Sequence, residues 1–257
     1  MDLNLKDKVF FVAGSSRGIG LGIAKSYLAE DANVIITGRD KGKLQEACAE
    51  LSLTYDSRKI LPINADMQDL DNINEQLNLA KKTFGKIDGI IANIGSGSEP
   101  LGVPSDPKIW DISFDKNLKA SMLLAQAGVP FLSADGGSII FISSIAGIED
   151  IKAPLAYSVC KSAIIAASKK LARSLAPLSI RVNAIAPGNI IFPGGNWERK
   201  KNENTEHINN FINSEVPLGC FGTPEDIGNV CVFLSSERAN FITGSLIVVD
   251  GGQTRSF

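Results

Sequence analysis

Short strand-like apolar runs alternate with stretches of helical spacing along the whole chain. Residues 9–13 read Val-Phe-Phe-Val-Ala, a continuous apolar run typical of a strand buried on both faces. Six further runs predict strands, at residues 33–37, 60–64, 87–92, 138–143, 180–186 and 246–249. Between them, apolar residues at helical spacing predict helices, at 19–29, 41–53, 69–84, 109–132, 155–176 and 224–235. The last of these begins at Pro224 behind Thr223, a typical N-cap residue.

This alternation predicts an α/β fold, a Rossmann-type doubly wound sheet of seven mostly parallel strands with helices on both faces. A chain of 257 residues that is 44% hydrophobic can cover such a sheet, so we expect one domain over residues 1–257. Ligands of such sheets bind at the carboxyl ends of the strands, where the strand order reverses. Residues that carry chemistry should therefore follow directly after strands.

The segment at about 187–217 interrupts this rhythm. It contains Phe192-Pro-Gly-Gly-Asn-Trp197 and a charged run at 198–203, but no clear strand. About thirty residues of this kind inside one domain are unusual unless they have a function. A solvated surface excursion is one interpretation. A substrate lid with a short amphipathic helix is favoured, because the segment follows the carboxyl end of a strand.

Charge and composition argue against several partners. The net charge is −2 and the basic residues are dispersed, so we expect neither a nucleic acid nor a membrane as partner. No apolar run is long enough to cross a bilayer, and the N-terminal residues lack the apolar stretch of a signal peptide, which predicts a cytoplasmic protein. Four cysteines without a C-x-x-C pair predict free thiols. A single histidine, His207, argues against a metal site and against a histidine-based triad.

A glycine-rich turn, Gly14-Ser-Ser-Arg-Gly-Ile-Gly20, lies between the first predicted strand and the first predicted helix. Glycines there permit a tight turn and let the backbone approach a pyrophosphate at the N-terminus of the helix. The turn predicts a dinucleotide site formed by Gly14, Ser16, Arg17, Gly18, Ile19 and Gly20. The spacing G-x-x-x-G-x-G differs from G-x-G-x-x-G, and a glycine turn without a ligand is the alternative.

Residues at the end of the second predicted strand indicate which dinucleotide binds. An acidic side chain there would accept a hydrogen bond from the ribose 2′-hydroxyl of NAD, whereas an arginine suits the 2′-phosphate of NADP. Arg39 lies in this stretch, and with Arg17 it could bind the phosphate through charge-assisted hydrogen bonds of about 1.5–3 kcal/mol each. We therefore expect NADP(H) to be favoured over NAD(H). The neighbouring Asp40 keeps NAD(H) as the alternative.

Tyr157 and Lys161 are four residues apart on a predicted helix, and Ser144 is thirteen residues before the tyrosine, at the end of a predicted strand. Positions i and i+4 share a helix face, so the lysine ammonium can lie near the phenol oxygen and favour its charged form. The pair is a candidate proton donor. Taken singly, a Y-x-x-x-K spacing more often reflects only two side chains on one helix face.

With these features the chain resembles the classical short-chain dehydrogenase/reductase family from end to end. The glycine motif has the spacing of that family and the chain length is similar. Further matches follow the third, fourth, sixth and seventh predicted strands: Asp66-Met67, Ala92-Asn93-Ile94-Gly95, Pro187-Gly188 and residues 248–252. The resemblance implies that cofactor contacts are made by Asp66, Met67, Asn93, Gly95, Tyr157, Lys161, Pro187, Gly188 and the Ile190 backbone.

The resemblance also implies catalytic roles for four residues. Tyr157 would protonate the substrate carbonyl oxygen, and Ser144 would donate a hydrogen bond to the same oxygen. Lys161 would stabilise the phenolate and hold the ribose hydroxyls, while Asn117 would complete a proton relay through a bound water. Ser143 competes with Ser144 for the serine role, but the interval to Tyr157 favours Ser144.

Departures from the family pattern concern the cofactor and the lid. Ile94 replaces a smaller residue, which predicts a bulkier side chain near the cofactor. Phe192 stands where many members have a threonine that contacts the cofactor, so that contact should be missing. Gly194 and Gly195 predict a hinge, and Trp197 predicts an aromatic surface that selects substrate.

The function expected from these residues is NADPH-dependent reduction of a ketone to a secondary alcohol, or the reverse, with a 3-oxoacyl thioester as one substrate class. Reduction of a keto-sugar or another polar hydroxy-ketone is the alternative. A non-catalytic NADP-binding sensor or scaffold is a remote alternative, because a binding module needs no tuned acid. The family resemblance further implies a homo-oligomer, a tetramer or a dimer.

Overall fold

Seven parallel strands form one hydrogen-bonded sheet. The structure, a computed structural model, describes residues 2–132 and 136–256. The strands are β1 Val9–Val12, β2 Asn33–Gly38, β3 Ile60–Asn64, β4 Gly89–Ala92, β5 Gly137–Ile142, β6 Ile180–Pro187 and β7 Leu246–Val249. Their order is β3-β2-β1-β4-β5-β6-β7, and every pairing is parallel. The predicted seven-stranded sheet is confirmed.

Helices cover both faces of this sheet. They are α1 Gly18–Ala29, α2 Lys41–Ser52, α3 Leu70–Phe84, α4 Lys108–Phe114, α5 Ala120–Gly128, α6 Leu155–Leu175, α7 Asn196–Glu203, α8 Thr205–Glu215 and α9 Pro224–Ser235. The predicted start of α9 is confirmed: the backbone N–H of Thr223 donates to the Asp226 carboxylate (2.7 Å). None of the helices within the described residues is long and apolar enough to cross a membrane.

The two faces of the sheet are buried in separate hydrophobic clusters. On one face Phe10 and Val12 pack with residues of α1, α2 and α9, and on the other Val9 and Phe11 pack with residues of α3, α5 and α6. Alternate residues of a strand point to opposite faces, so a strand covered on both faces must be apolar at every position. This explains the continuous apolar run of β1.

The order of the strands reverses between β1 and β4. The chain builds outward from β1 to β2 and β3, then returns to place β4 on the other side of β1. Loops that follow β1 and β4 therefore leave the sheet in opposite directions and open a crevice between them. The glycine-rich turn and residues 93–95 lie at this crevice.

The single helix predicted at 109–132 has an irregular centre. A π-helical turn, Asp115–Lys119, separates α4 from α5, and a short 3-10 turn, Val129–Phe131, follows α5. A π turn accommodates one more residue than an α turn and occurs frequently at functional sites. The widened turn contains Asn117.

The segment 187–217 contains two helices, α7 and α8, where the sequence predicted one. Asn204 joins them, and its side chain accepts a hydrogen bond from the backbone N–H of the exposed His207 (2.9 Å). A small third cluster forms here, from Ile208, Ile212, Val216 and Phe221. The segment thus has a hydrophobic core of its own, which a solvated excursion would lack. All four cysteines are free thiols, as predicted.

Candidate active site

The glycine-rich turn forms a cradle at the carboxyl end of β1. Gly14 and Gly18 have φ angles of +64° and +57°, in the left-handed region that favours glycine. A Cβ atom at Gly14 would overlap the carbonyl oxygen of Asn93, and one at Gly20 would overlap that of Gly14. No side chain of the described residues caps the N-terminus of α1, and its first turn has no acidic residue. The cradle therefore offers backbone N–H groups to an anion.

Asn93 connects this cradle to the end of β4. Its side-chain nitrogen donates to the Gly14 carbonyl oxygen (3.0 Å), so the two loops that border the crevice are held together. Asp66 and Met67 follow β3 at the same edge of the sheet, with Asp66 exposed and Met67 buried. Asp66 accepts a hydrogen bond from the backbone N–H of Gln68 (3.1 Å).

The end of β2 presents two exposed arginines and a carboxylate that is already engaged. Arg17 and Arg39 are exposed. Asp40 is the N-cap of α2: it accepts a hydrogen bond from the backbone N–H of Lys43 (3.1 Å), and the Lys43 ammonium lies 3.8 Å away. Asn64 donates to the carbonyl oxygens of Gly38 and Arg39, at 2.8 and 3.0 Å, which fixes the backbone before Asp40.

Tyr157 lies in the first turn of α6, and Ser144 is near enough to its phenol group to lower the pKa of the tyrosine. Ser144 follows β5, and its hydroxyl oxygen also accepts from the backbone N–H of Ala146 (3.1 Å). The competing Ser143 is buried, and its hydroxyl donates to the carbonyl oxygen of Lys161 (2.8 Å). The structure therefore brings Ser144, and not Ser143, to the tyrosine.

Lys161 is 4% exposed and lies one helical turn after Tyr157. Its ammonium donates to the carbonyl oxygens of Ile142 (2.9 Å) and Ile94 (3.2 Å), and is 5.6 Å from the centre of the Tyr157 ring. Burial lowers the pKa of Lys161 to about 8. Three groups of the site, from β5, α6 and the loop after β4, thus meet at this lysine.

The pKa of Tyr157 is raised in the protein alone, which is opposite to the direction expected from the sequence. Burial is the largest cause; the nearby Ser144 lowers the pKa, and the charge of Glu99 raises it further. Desolvation disfavours the charged phenolate. The ammonium of Lys161 does not offset this effect, because it is directed at two backbone carbonyl oxygens. The tyrosine is therefore a protonated acid at neutral pH.

Asn117 is fully buried in the π turn. Its side-chain oxygen accepts from the backbone N–H of Ser96 (2.8 Å), and its nitrogen donates to the hydroxyl of Ser113 (3.1 Å). A Cβ atom at Gly95 would overlap the Asn117 oxygen and lie 3.4 Å from the Lys161 ammonium. The π turn thus packs Asn117 against the loop that contacts Lys161.

The end of β6 forms the other wall of the crevice. Pro187 is buried, and the backbone N–H of Gly188 donates to the carbonyl oxygen of Val249 (2.9 Å). Ile190 forms a β-bridge with Gly222 in which the hydrogen bonds come from its neighbours Asn189 and Ile191. The backbone N–H and C=O of Ile190 itself point away from that bridge.

Two of the residues that depart from the family pattern pack against hydrophobic clusters. The side chain of Ile94 packs against the hydrophobic cluster of one sheet face, because the loop turns it toward the core. Trp197 stacks on Phe211 (5.4 Å between ring centres) and contacts Phe221 (4.7 Å), so its ring belongs to the third cluster. Phe192 packs on the phosphate cradle: a Cβ atom at Gly18 would lie 2.7 Å from its ring.

Sequence reasoning missed the loop after β4. A Cβ atom at Gly97 would lie 3.3 Å from ring atoms of Tyr157, and Glu99 acts electrostatically on the same tyrosine. The available signal was an acidic residue in a loop of glycines and serines that follows a strand. No group of three or more His, Cys, Asp or Glu side chains that could hold a metal ion occurs in the part of the chain that the structure describes.

A glycine cradle for a dinucleotide and a Tyr, Lys, Ser and Asn group meet at the carboxyl ends of a doubly wound sheet. This combination defines an oxidoreductase that uses a nicotinamide cofactor. The chain belongs to the short-chain dehydrogenase/reductase family, and its residues 13–254 match the family model described as Enoyl-(Acyl carrier protein) reductase. The resemblance found in the sequence is confirmed.

Relatives in this family carry different substrate names. The chain is 33% identical over 253 residues to a 3-oxoacyl-[acyl-carrier-protein] reductase of Chlamydia muridarum, covering 98% of this chain and 99% of that one. It is 31% identical over 258 residues to an NAD-dependent glycerol dehydrogenase of Listeria innocua, covering 98% and 96%. Among solved structures, L-sorbose reductase from Gluconobacter frateurii, complexed with NADPH and L-sorbose, superimposes with a TM-score of 0.92 at 30% identity, covering 100% of both chains.

Proposed function

We propose that this protein is an NADP(H)-dependent oxidoreductase that interconverts a ketone and a secondary alcohol. The observation that carries the proposal is that Ser144 lies near enough to Tyr157 to lower its pKa, one helical turn from the buried ammonium of Lys161. An acid, a second donor and a fixed cation at one point suit protonation of a carbonyl oxygen. The nicotinamide, when bound, supplies or accepts the hydride.

Each of the four residues has one task in this proposal. Tyr157 donates its proton to the carbonyl oxygen, and Ser144 holds that oxygen in place. Lys161 uses two of its three N–H groups on Ile94 and Ile142, which leaves one for a ribose hydroxyl or a water. Asn117 holds the loop that contacts Lys161 and would complete the proton relay.

The residues present fit a dinucleotide. The cradle at Gly14, Gly18 and Gly20 would take the pyrophosphate, because it presents backbone N–H groups at the uncapped N-terminus of α1. The remaining contacts would be made by Asp66 and Met67 toward adenine, by Asn93 and Gly95, and by Pro187, Gly188 and Ile190 toward the nicotinamide. Residues 187–217 would form the lid.

The choice of NADP(H) rests on the end of β2. Arg17 and Arg39 are exposed next to the cradle, whereas the Asp40 carboxylate is engaged at the N-terminus of α2. The solved sorbose reductase contains NADPH, which supports this choice. The NAD-dependent glycerol dehydrogenase is the reason for testing NAD(H) directly.

Arg39→Ala is expected to weaken NADPH binding by about 10- to 100-fold, the loss of one or two charge-assisted hydrogen bonds to the 2′-phosphate. NADH lacks that phosphate, so its dissociation constant should change by less than about threefold. Fluorescence titration of both cofactors measures the two effects. Arg58→Ala is the control, because Arg58 is paired with Asp56 (2.7 Å) on the exposed surface. Equal losses for NADPH and NADH would remove Arg39 from the phosphate site.

Asp40→Ala is expected to lower the free energy of unfolding by about 0.5–2 kcal/mol, the usual cost of losing an N-cap. The preference for NADPH over NADH should not change, because the carboxylate is engaged with Lys43. Urea unfolding and cofactor titration measure the two quantities separately. A variant that loses NADH affinity selectively would show that Asp40 binds the ribose.

Two substrate classes remain within this proposal. A 3-oxoacyl thioester is supported by the reductase of Chlamydia muridarum, and a keto-sugar by the sorbose reductase. A carrier-protein partner would favour a basic rim on α7, yet the ammonium of Lys200 lies over the Trp197 ring (4.4 Å).

The homo-oligomer implied by the family belongs to the same proposal. Helices α4 and α6 expose the apolar residues Ile112, Leu155 and Val159.

The proposed function is tested by monitoring NADPH oxidation by absorbance, with acyl thioesters, keto-sugars and simple ketones as substrates. Turnover of at least one carbonyl compound is expected. Tight NADPH binding without turnover of any of them would favour the sensor or scaffold. NADPH binding that is no tighter than NADH binding would contradict the cofactor choice alone.

A further inference from the structure

A carboxylate that the proposed reaction does not use lies beside Tyr157. Glu99 belongs to the loop between β4 and α4 and is only partly exposed. Its oxygen Oε2 is buried and accepts no hydrogen bond from any of the described residues. A buried carboxylate oxygen without a donor destabilises the protein.

The loop of Glu99 is held against the site from two sides. The backbone N–H of Ser96 donates to Asn117 (2.8 Å), and the ammonium of Lys116 donates to the Ser98 hydroxyl (3.3 Å). Between them, the Gly97 backbone lies on the Tyr157 ring, where a Cβ atom would come within 3.3 Å. Glu99 follows two residues later, and its charge raises the pKa values of both Tyr157 and Cys160. The carboxylate therefore belongs to the loop that packs on the tyrosine ring, and its charge acts on the tyrosine.

The missing donor has to come from outside the described residues. Glu99 forms no salt bridge with a lysine or arginine of the described residues, and the ammonium groups of Lys116 and Lys119 are directed at Ser98 and Asp115 instead. In natural proteins, buried polar atoms without a hydrogen-bond partner are expected chiefly at functional sites. A molecule that brings its own hydrogen-bond donor to Tyr157 would satisfy this oxygen.

The two candidate substrate classes differ in this respect. A 3-oxoacyl thioester has only methylene groups and carbonyl oxygens around its keto group, so it brings acceptors and no donor to Glu99. A hydroxy-ketone carries an O–H group on the carbon next to the carbonyl. Sites built to accept a hydrogen bond from a substrate hydroxyl reject analogues that lack it, because the buried acceptor is then left unpaired.

We propose that Glu99 is a specificity-determining residue that accepts a hydrogen bond from a substrate hydroxyl adjacent to the reacting carbonyl. The substrate class of this enzyme is then the polar hydroxy-ketones, the class that includes ketoses, rather than 3-oxoacyl thioesters. This inference rests on the proposed ketone reduction at Tyr157. The inference adds a second polar contact with the substrate, made by the loop after β4.

Hydroxyacetone and butanone form a matched pair of probes, since they differ by a hydroxyl in place of a methyl group. The wild-type enzyme should have a higher kcat/KM for hydroxyacetone. Glu99→Leu should reduce the ratio of the two kcat/KM values by about 10- to 100-fold, the range for a hydrogen bond to a charged group. Glu99→Gln, whose amide oxygen still accepts, should reduce the ratio less. Glu46→Leu, at an exposed position of α2, is the control for adding a leucine.

Several outcomes overturn the inference. If Glu99→Leu lowers kcat/KM for both ketones equally, the ratio is unchanged and Glu99 only supports the loop. If the wild-type enzyme reduces butanone as well as hydroxyacetone, the specificity role is wrong while ketone reduction stands. A wild-type preference for aminoacetone that Glu99→Leu abolishes would assign a cationic substrate instead. No turnover of any ketone would remove the proposed function itself, and the inference with it.

Discussion

Tyr157→Phe is expected to lower kcat by about 10²- to 10⁴-fold, the usual contribution of a positioned general acid. The variant removes the hydroxyl whose pKa Ser144 lowers, and it keeps the ring on which the Gly97 backbone packs. The ring and the surrounding loop should therefore stay in place. NADPH binding should change little, since the cradle at Gly14 is formed by other elements.

Steady-state NADPH oxidation and NADPH titration measure these two effects on the same preparation. Tyr55→Phe is the control, because Tyr55 lies after α2, away from the crevice. A Tyr157→Phe variant that retains most of its activity would contradict the proposed acid. A variant that loses NADPH binding as strongly as activity would instead assign the hydroxyl to the cofactor.

Lys161→Met is expected to lower kcat/KM by about 10²- to 10³-fold, because Tyr157 and the cofactor would lose a fixed cation. The free energy of unfolding should change little, because the substitution has two opposing effects on it. Burial lowers the pKa of Lys161 to about 8, so keeping the ammonium charged inside costs about 3 kcal/mol at neutral pH. Methionine removes that cost but leaves the carbonyl oxygens of Ile94 and Ile142 without a donor, at about 1–3 kcal/mol each.

The pH dependence of stability tests this balance. A lysine with a lowered pKa in the folded chain destabilises the fold fully below pH of about 8, where the folded and unfolded chains are both protonated. As the pH rises above about 8, the folded chain releases this proton first and the cost decreases. The free energy of unfolding of the wild type should thus gain on that of Lys161→Met above this pH. Lys170→Met, at an exposed position of the same helix, keeps Lys161 and should therefore gain on Lys161→Met as the wild type does. No such gain above pH of about 8 in either protein would contradict the buried charge.

The sheet and most helices could be predicted because their signals are local. A strand covered on both faces must be apolar throughout, and all four residues of β1 are apolar and buried. The glycines of the cradle are likewise visible, since only glycine tolerates the φ of Gly14 and the approach of Asn93 to Gly20. These constraints act within a few residues, so the sequence records them.

The parts that could not be predicted depend on contacts between distant segments. The π turn at Asn117 is held by Ser96 from another loop, and nothing in Asp-Lys-Asn-Leu-Lys distinguishes it from an α-helix. The direction of the Tyr157 pKa depends on how much water the surrounding loops remove. Glu99 lies near the tyrosine only because the loop after β4 folds back over it. The packing of Trp197 on Phe211 and Phe221 likewise depends on partners that are distant in sequence.

The π turn also separates two helices that differ in phase. Successive residues of an α-helix are rotated by about 100°, so the additional residue rotates α5 by that angle relative to a regular continuation of α4. Because of this rotation, Asn117 can face Ser96 while Leu124, on α5, is fully buried against the sheet. A one-residue deletion in this turn would misalign both faces at once. The length of this segment is therefore under a stricter constraint than its composition, and insertions or deletions there should be absent from active relatives.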